Sequence, residues 1–487
     1  MKIPKEIKII LEKLEEAGHE AYIVGGCVRD LSLKNKPKDW DITTNAKPNE
    51  IQKLFPRSFY ANKFGTVTVQ IDSKDKALSE IEVTTFRTEE KYSDKRHPDK
   101  INFAKTLKDD LARRDFTVNA LAVNQKGKII DLFDGQKDLK DKTIKAVGKP
   151  KERFNEDALR MLRAVRFAAT LSAQGGPTES WTIEPKTIKA IQENAPWLRT
   201  ISKERVRDEF IKIIKSDIPS KGIELLRKTE LLKYIIPELE KGVGVSQNKH
   251  HIYDIYEHSV RALQATADQK FNLEVRLAAL FHDIGKPETK EGEGPDATFY
   301  NHDYVGAKFT NQILKRLKFP KKSIEKITTL VKNHMFVSDP ERLTEAGARR
   351  LIKRVGKENI PDLVSLRIAD RLGMGRPKAR PYRLRQIEYL IDKVSQDPIS
   401  VKMLKINGGE IMKILNIQPG PKIGAILDVL LSEVIEDPVK NNKKYLEKRV
   451  KELNKSNLDE LRKMAKKKIK EKKEEEDLKI KDKYWIH

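Results

Sequence analysis

The chain has 487 residues, with 98 Lys or Arg against 73 Asp or Glu and a formal net charge of +25. That length suggests about three domains, and 38 % hydrophobic residues suffice for packed cores. No run approaches the ~18 consecutive apolar residues of a membrane-spanning helix, and Met1-Lys2-Ile3-Pro4-Lys5-Glu6 holds no apolar signal core. The single cysteine, Cys27, excludes an intrachain disulfide and a cysteine-based zinc site.

The chain reads as a cytoplasmic, multidomain, basic protein. Two readings satisfy its charge: a polyanionic partner such as nucleic acid, or Lys-rich solvated faces.

Ile7, Ile10, Leu11, Leu14 and Ala17 recur at helical spacing, and Gly18 closes that helix. Ala21–Val24 reads as a strand, Gly25-Gly26 breaks it, and a helix starts from Val28. Strands are expected at 39–43, 65–69, 80–86, 117–123 and 129–133, so the first 150 residues are α/β. After Lys149-Pro150 helical patterns dominate, with loops at 175–177, 242–244 and 291–295 and a further break near Asp397-Pro398. From about 454 to 483 the chain is low-complexity Lys/Glu, read as a solvated helix or disordered tail.

Three carboxylates stand out in the α/β region. Asp39 and Asp41, two apart on an expected strand, share one face, and Glu82 lies on a neighbouring strand. Converging acids repel unless a cation neutralises them, and hard oxygen ligands suit Mg²⁺. A D-x-D pair alone is common at solvated strand ends. Here it follows Gly25-Gly26-Cys27-Val28-Arg29-Asp30, where a Gly pair lets backbone N–H groups approach phosphate ahead of a helix.

Arg113-Arg114-Asp115-Phe116-Thr117-Val118-Asn119 adds a triphosphate-side cluster. In Glu156-Asp157-Ala158-Leu159-Arg160-Met161-Leu162-Arg163-Ala164-Val165-Arg166-Phe167, Asp157 and three Arg recur every three residues as one stripe of a helix. Such a stripe repels itself unless an anion is present; a basic solvated face is the alternative. Asp157 with Arg160 suits a base reader: the carboxylate accepts from an exocyclic amine, and Arg donates to the adjacent ring acceptor. Cytosine and adenine present that edge; uracil and guanine do not.

GGCVRD, DWD, EVTTFRTE, RRDFTVNALA, DLFDG, EDALRMLRAVRF and then SKERVRDEF, in order over roughly residues 20–215, resemble the bacterial-type (class II) tRNA nucleotidyltransferase/poly(A) polymerase family, most closely the CCA-adding enzymes. The resemblance implies an α+β chain: a polymerase-β-like nucleotidyltransferase head of mixed sheet and helices, then an all-α neck, HD-type and tail domains. It implies that Asp39 and Asp41 hold Mg²⁺ and that Glu82 orients the attacking hydroxyl. Gly26, Arg29, Arg114, Arg163 and Arg166 then hold the nucleotide phosphates and sugar, and Asp157 and Arg160 the base. Cys27 replaces a commoner small residue and is expected to be neutral. Residues 87–103 match the flexible loop needed to switch from CTP to ATP.

Six of the nine histidines lie between 250 and 334. His258, His282-Asp283, His302, His334 and Asp370 follow one another at intervals that let imidazoles and carboxylates on separate helices converge on a transition metal. The set resembles the all-α HD phosphohydrolase superfamily. That resemblance implies His258, His282, Asp283 and Asp370 as core ligands, with His302 and His334 for a second metal or the phosphate. Residues 404–412 and 419–430 resemble the family's C-terminal tRNA-binding segment.

The expected domains are a head over 1–148, a neck over 149–243, an HD-type domain over 244–396, a tRNA-binding tail over 397–455 and an extension over 456–487. The expected activity is addition of C, C and A from CTP and ATP to tRNA, with release of pyrophosphate. The rivals are an A-adding enzyme or poly(A) polymerase, a protein whose main activity is the HD phosphohydrolase, and a non-catalytic RNA-binding protein.

Overall fold

The computed structural model describes all residues except 61–64, 91–99, 173–179, 249–251, 337–343, 376–379, 396–400 and 487. The chain forms two compact units: Met1–His334 with Ser365–Pro377, and Met335–Val364 with Lys378–His487.

The first unit opens with helix α1 (Lys5–Glu16), whose Ile7, Ile10, Leu11 and Leu14 are buried as their spacing requires. Strand β1 (Ala21–Val24) and helix α2 (Gly26–Ser32) follow. Then come β2 (Asp41–Thr44), β3 (Ser58–Tyr60), β4 (Thr66–Gln70) and β5 (Glu80–Thr85). A hairpin of β6 (Arg87–Glu90) and β7 (Lys100–Phe103) frames the expected flexible loop, whose residues 91–99 lie outside the described residues. Helix α3 (Leu107–Ala112), β8 (Leu121–Val123) and β9 (Ile129–Asp131) complete the head.

Its seven-stranded sheet runs β3-β4-β5-β2-β1-β8-β9, with β2 parallel to β5 and the other neighbours antiparallel. The buried strands are rich in Ile and Val, and alternate residues of β5 point to core and solvent. The strand expected over 117–123 is shorter: Thr117–Asn119 is a 3₁₀ turn, and pairing begins at Leu121.

Helices take over at α4 (Pro150–Glu156), α5 (Leu159–Ser172) and α6 (Lys203–Ile214). They continue through α7 (Ile255–Asp268), α8 (Leu273–Phe281), α9 (His302–Arg316), α10 (Lys321–Lys332) and α11 (Ile360–Gly373). The loop expected at 175–177 and the break at 397–398 lie outside the described residues.

The second unit includes α12 (Tyr382–Ser395), α13 (Pro421–Glu436) and α14 (Leu458–Lys483), with Ile411, Ile426, Leu430, Leu446 and Leu461 in its core. The Lys/Glu-rich end is helix, and it is fastened rather than merely solvated. Asp477 pairs with Lys393 at 2.6 Å and accepts from the Tyr389 hydroxyl, Lys483 pairs with Asp392 at 2.7 Å, and Leu461, Ala465 and Ile480 are buried. The sparse apolar residues of that stretch suffice because α12 supplies polar partners as well.

Among the described residues, no helix is long and apolar enough to cross a membrane.

Candidate active site and metal centre

The head site forms where β2 meets β1 and β5. Asp41 opens β2, in register with Val24 on one side and Glu82 on the other. Asp39 lies in the bend just before the strand, not on it as expected, because β pairing starts at Asp41. The acids still act on one another. Burial pushes the Asp41 carboxyl up to about 6, Arg114 opposes this, and the charges of Asp39 and Glu82 add to it.

Gly25 turns the chain from β1 into α2 with φ +80°, a conformation that favours glycine. A Cβ there would sit 2.9 Å from Nη1 of Arg114 and 3.4 Å from Oδ2 of Asp41. The turn therefore lets a guanidinium lie against the acid cluster.

Arg114 is steadied by Asp110, whose side chain is wholly buried. Asp110 accepts from Nε and Nη2 of Arg113 at 3.0 and 2.8 Å, from Nη2 of Arg114 at 3.4 Å and from the Thr43 hydroxyl at 3.2 Å. It also accepts from the backbone N–H of Arg87, at the base of the hairpin.

The arginine stripe resolves differently from its expectation. Asp157 is not in the helix: its backbone is extended between α4 and α5, and its Oδ1 accepts from the Leu159 N–H at 2.9 Å. A short acidic side chain that satisfies a free N–H at a helix start is favoured there over the helix interior. Its Oδ2 accepts from Arg205 at 2.8 Å.

Arg160 donates to Glu156 at 2.7 Å and to the Arg113 carbonyl at 3.0 Å. Arg163 donates to Asp115 at 2.8 Å, and Arg166 to Glu209 at 2.6 Å. The anions that relieve the stripe are thus carboxylates of the chain itself. Arg29 donates to Asn119 at 2.7 Å, and Asn119 to Asp115 at 3.1 Å, which links Arg29 to Arg163. The guanidiniums of Arg29, Arg163 and Arg166 fan over the Phe167 ring at 5.2, 5.4 and 3.9 Å. Arg205 and Glu209, both inside the SKERVRDEF segment, were not singled out from the sequence. The i to i+4 spacing that puts them on one face of α6 is the signal that was there.

The second constellation closes on itself. Nε2 of His258 lies 3.1 Å from Nε2 of His282, 3.5 Å from Oδ2 of Asp283 and 3.2 Å from Oδ1 of Asp370. Nε2 of His302 lies 3.2 Å from Nε2 of His334, and the two are 3.5 and 3.6 Å from the other oxygen, Oδ1, of Asp283. All six residues are buried.

His282, His302 and His334 each turn Nδ1 to a backbone carbonyl at 2.7–2.8 Å. A carbonyl only accepts, so each Nδ1 carries a proton and each ring turns its Nε2 inward. Imidazole Nε2 atoms and carboxylate oxygens then converge, a donor set that suits a divalent cation. Burial lowers the His302 pKa to about 4, keeping it neutral. His282 is raised to about 10: burial opposes this, but Asp283 and Asp370 outweigh it. Asp283 stays well below the usual carboxylate range despite burial, held by His282 and Lys286. Lys286, which pairs with Asp283 at 2.6 Å and with Gln247 at 2.7 Å, was not among the expected ligand-side residues.

A Poly A polymerase head domain family matches residues 21–145, a "Probable RNA and SrmB- binding site of polymerase A" family matches 181–242, and a tRNA nucleotidyltransferase domain 2 family matches 298–450. The CCA-adding enzyme of Ligilactobacillus salivarius is 34 % identical over 456 residues, 93 % of this chain and 98 % of that protein. The chain belongs to the CCA-adding enzyme family.

Other matches to the family's enzymes are stronger but shorter. The one from Limosilactobacillus reuteri is 44 % identical over 54 % of this chain, and that alignment spans 63 % of the relative. The one from Lactobacillus delbrueckii is 53 % identical over 42 % of this chain, spanning 48 % of the relative. The structure of the Bacillus stearothermophilus CCA-adding enzyme in complex with CTP matches with a TM-score of 0.60 and 29 % identity, covering 93 % of this chain and 98 % of that one. The Thermotoga maritima CCA-adding enzyme, complexed with tRNA, shares the fold at a TM-score of 0.55 and 21 % identity, over 93 % and 96 % of the two chains. Within this CCA-adding family member, acidic groups in the head and buried His and Asp groups beyond it both suit a divalent metal.

Proposed function

We propose that this chain rebuilds the CCA end of tRNA, adding C, C and A from CTP and ATP. The observation that carries this is the juxtaposition of the Asp39, Asp41 and Glu82 cluster with Arg114 across the Gly25 turn. The RNA 3′-hydroxyl attacks the α-phosphate, and pyrophosphate leaves. Asp39 and Asp41 would hold Mg²⁺, which supplies positive charge at the reacting phosphate. Glu82 orients the hydroxyl. Arg114 faces the phosphates, while Arg29 and Arg163, tied through Asn119 and Asp115, brace the same wall. Arg166 supports it through Glu209.

Asp157 and Arg160 read the base, the first accepting the exocyclic amine and the second donating to the ring acceptor. Arg205 and Glu156 hold these two side chains before the base arrives. The head spans 1–148, the neck 149–243, the HD-type domain 244–396 and the tRNA-binding tail 397–455, with an extension over 456–487.

The test is extension of a tRNA transcript lacking CCA. Two additions with CTP alone, and a third only when ATP joins it, are expected. Addition of A alone to a CC end, or a long A ladder, moves the chain to the A-adding or polyadenylating branch. No extension overturns the reading.

A second reading is favoured by the converging histidines: hydrolysis of phosphoesters at an HD-type centre. His258, His282, Asp283 and Asp370 would hold one divalent transition metal, and Asp283, His302 and His334 a second, with Asp283 offering one oxygen to each. Such a metal supplies an activated water. Metal analysis of the purified protein, compared with Asp283→Asn, decides it: metal lost in the variant supports the centre, and none in the wild type refutes it.

A further inference from the structure

Helices α9 and α10 form a cleft of about 490 Å³ on the first unit. Tyr304, Lys308, Asn311 and Lys315 line it from α9, at spacings that keep one helix face. Thr328 and Lys332 line it from α10. The three lysines are exposed, and among the described residues no carboxylate lines the cleft. Among the described residues none of the three has an ion-pair partner. Glu325, the one acid of α10, lies 3.8 Å from Lys321 instead.

Lys332 holds its ammonium 4.9 Å from the Tyr304 ring, which is 58 % exposed. The Thr328 hydroxyl oxygen is buried with no hydrogen-bond partner. An amphipathic helix pair needs no such arrangement for its own packing, since Ile313, Leu314, Ile327, Leu330 and Val331 already fill the core side.

We propose that this cleft is a docking surface for the phosphate backbone of RNA. Lys308 and Lys315 are seven residues apart, roughly 10 Å along the helix. A single small anion cannot meet both, whereas successive phosphates of a strand can. Asn311 between them offers an amide to phosphate or ribose oxygens, the contacts that position RNA without reading sequence. The Tyr304 face adds a surface for stacking. The inference rests on the reading of tRNA as substrate, and extends it to a surface distinct from the head, the neck and the C-terminal segment.

The experiment measures binding of a fluorescent tRNA lacking CCA, by anisotropy, from low to moderate salt. The triple variant Lys308→Gln, Lys315→Gln, Lys332→Gln keeps good helix formers, and thermal melting checks its fold. It is expected to bind roughly tenfold or more weakly, with a slope of log affinity against log salt reduced by about 2–3. Lys321→Gln with Lys322→Gln, on α10 but outside the cleft, is expected to stay close to wild type. The surface is overturned if the triple variant binds like the wild type, or if the control pair loses as much. A wild-type protein that binds no tRNA overturns the parent reading, and this surface with it. A wild type that binds and extends tRNA beside an unaffected triple variant overturns the surface alone.

Discussion

Asp110 has no exposed side-chain surface and ties together four pieces of the head: β2 through Thr43, the hairpin base through Arg87, and both Arg113 and Arg114. Through the Arg113 carbonyl it also bears on Arg160. Asp110→Asn removes the charge while keeping the shape, and takes from two part-buried guanidiniums the anion they share. We expect a loss of stability on the order of 3 kcal/mol, read from the denaturation midpoint, and a raised KM for CTP and ATP alike, since the proposed role of Arg114 is to face phosphate and not base. A KM change confined to one nucleotide would contradict that placement.

Asp115 gives a pH signature at the same scale. Burial works to raise its pKa, yet Arg163 and Asn119 hold it at about 2, against an ordinary 3.8. Its folded value is depressed, so its contribution is complete above about pH 4 and vanishes as the pH falls toward 2. At about 1.4 kcal/mol per unit, this is on the order of 2 kcal/mol. Melting curves between pH 5 and 2 should fall less steeply for Asp115→Asn than for the wild type.

At the scale of elements, the Gly25 turn sets how closely Arg114 approaches Asp41. Gly25→Ala imposes a left-handed conformation, costing about 1–2 kcal/mol, and a Cβ 2.9 Å from the guanidinium. Nucleotide addition is expected to fall well beyond what that stability loss explains, because Arg114 must move; an active variant with only a lowered melting temperature would show that it need not.

The turn was legible in the sequence, as were β1, β4 and β5, because apolar alternation and paired glycines are local signals. The break at Asp157 was not. A three-residue recurrence of Asp and Arg fits a continuous helix, and only the bond from Asp157 to the Leu159 N–H shows that the helix restarts there. The partners that neutralise the stripe were hidden for another reason. Asp115 lies 48 residues from Arg163, and Glu209 lies 43 from Arg166. Spacing along one helix says that an anion is needed, not which distant acid provides it. The histidine set shows the reverse: its members were legible by type and order, while the division of Asp283 between two pairs of rings is a matter of three-dimensional placement.

For the whole molecule, the question is whether the two centres act as one. The head acids sit at and beside the edge of β2 and β5, against Arg114, which Asp110 holds; the histidines sit at the ends of α7 to α10 and Asp370 on α11, held by backbone carbonyls, Lys286 and Arg367. Among the described residues they share no side chain, and their supporting bonds run within separate sets of elements. Groups with no common partner lose free energy additively when altered. Asp39→Asn with Asp41→Asn is therefore expected to abolish CTP and ATP incorporation while leaving the metal content of the histidine centre at its wild-type level. His282→Ala is expected to empty that centre and to keep tRNA extension within about twofold of wild type. The measurements are metal analysis and single-nucleotide extension on the same preparations. If His282→Ala also lost extension while its melting temperature held, the centres would be coupled, and the transferase would depend on a metal it does not touch.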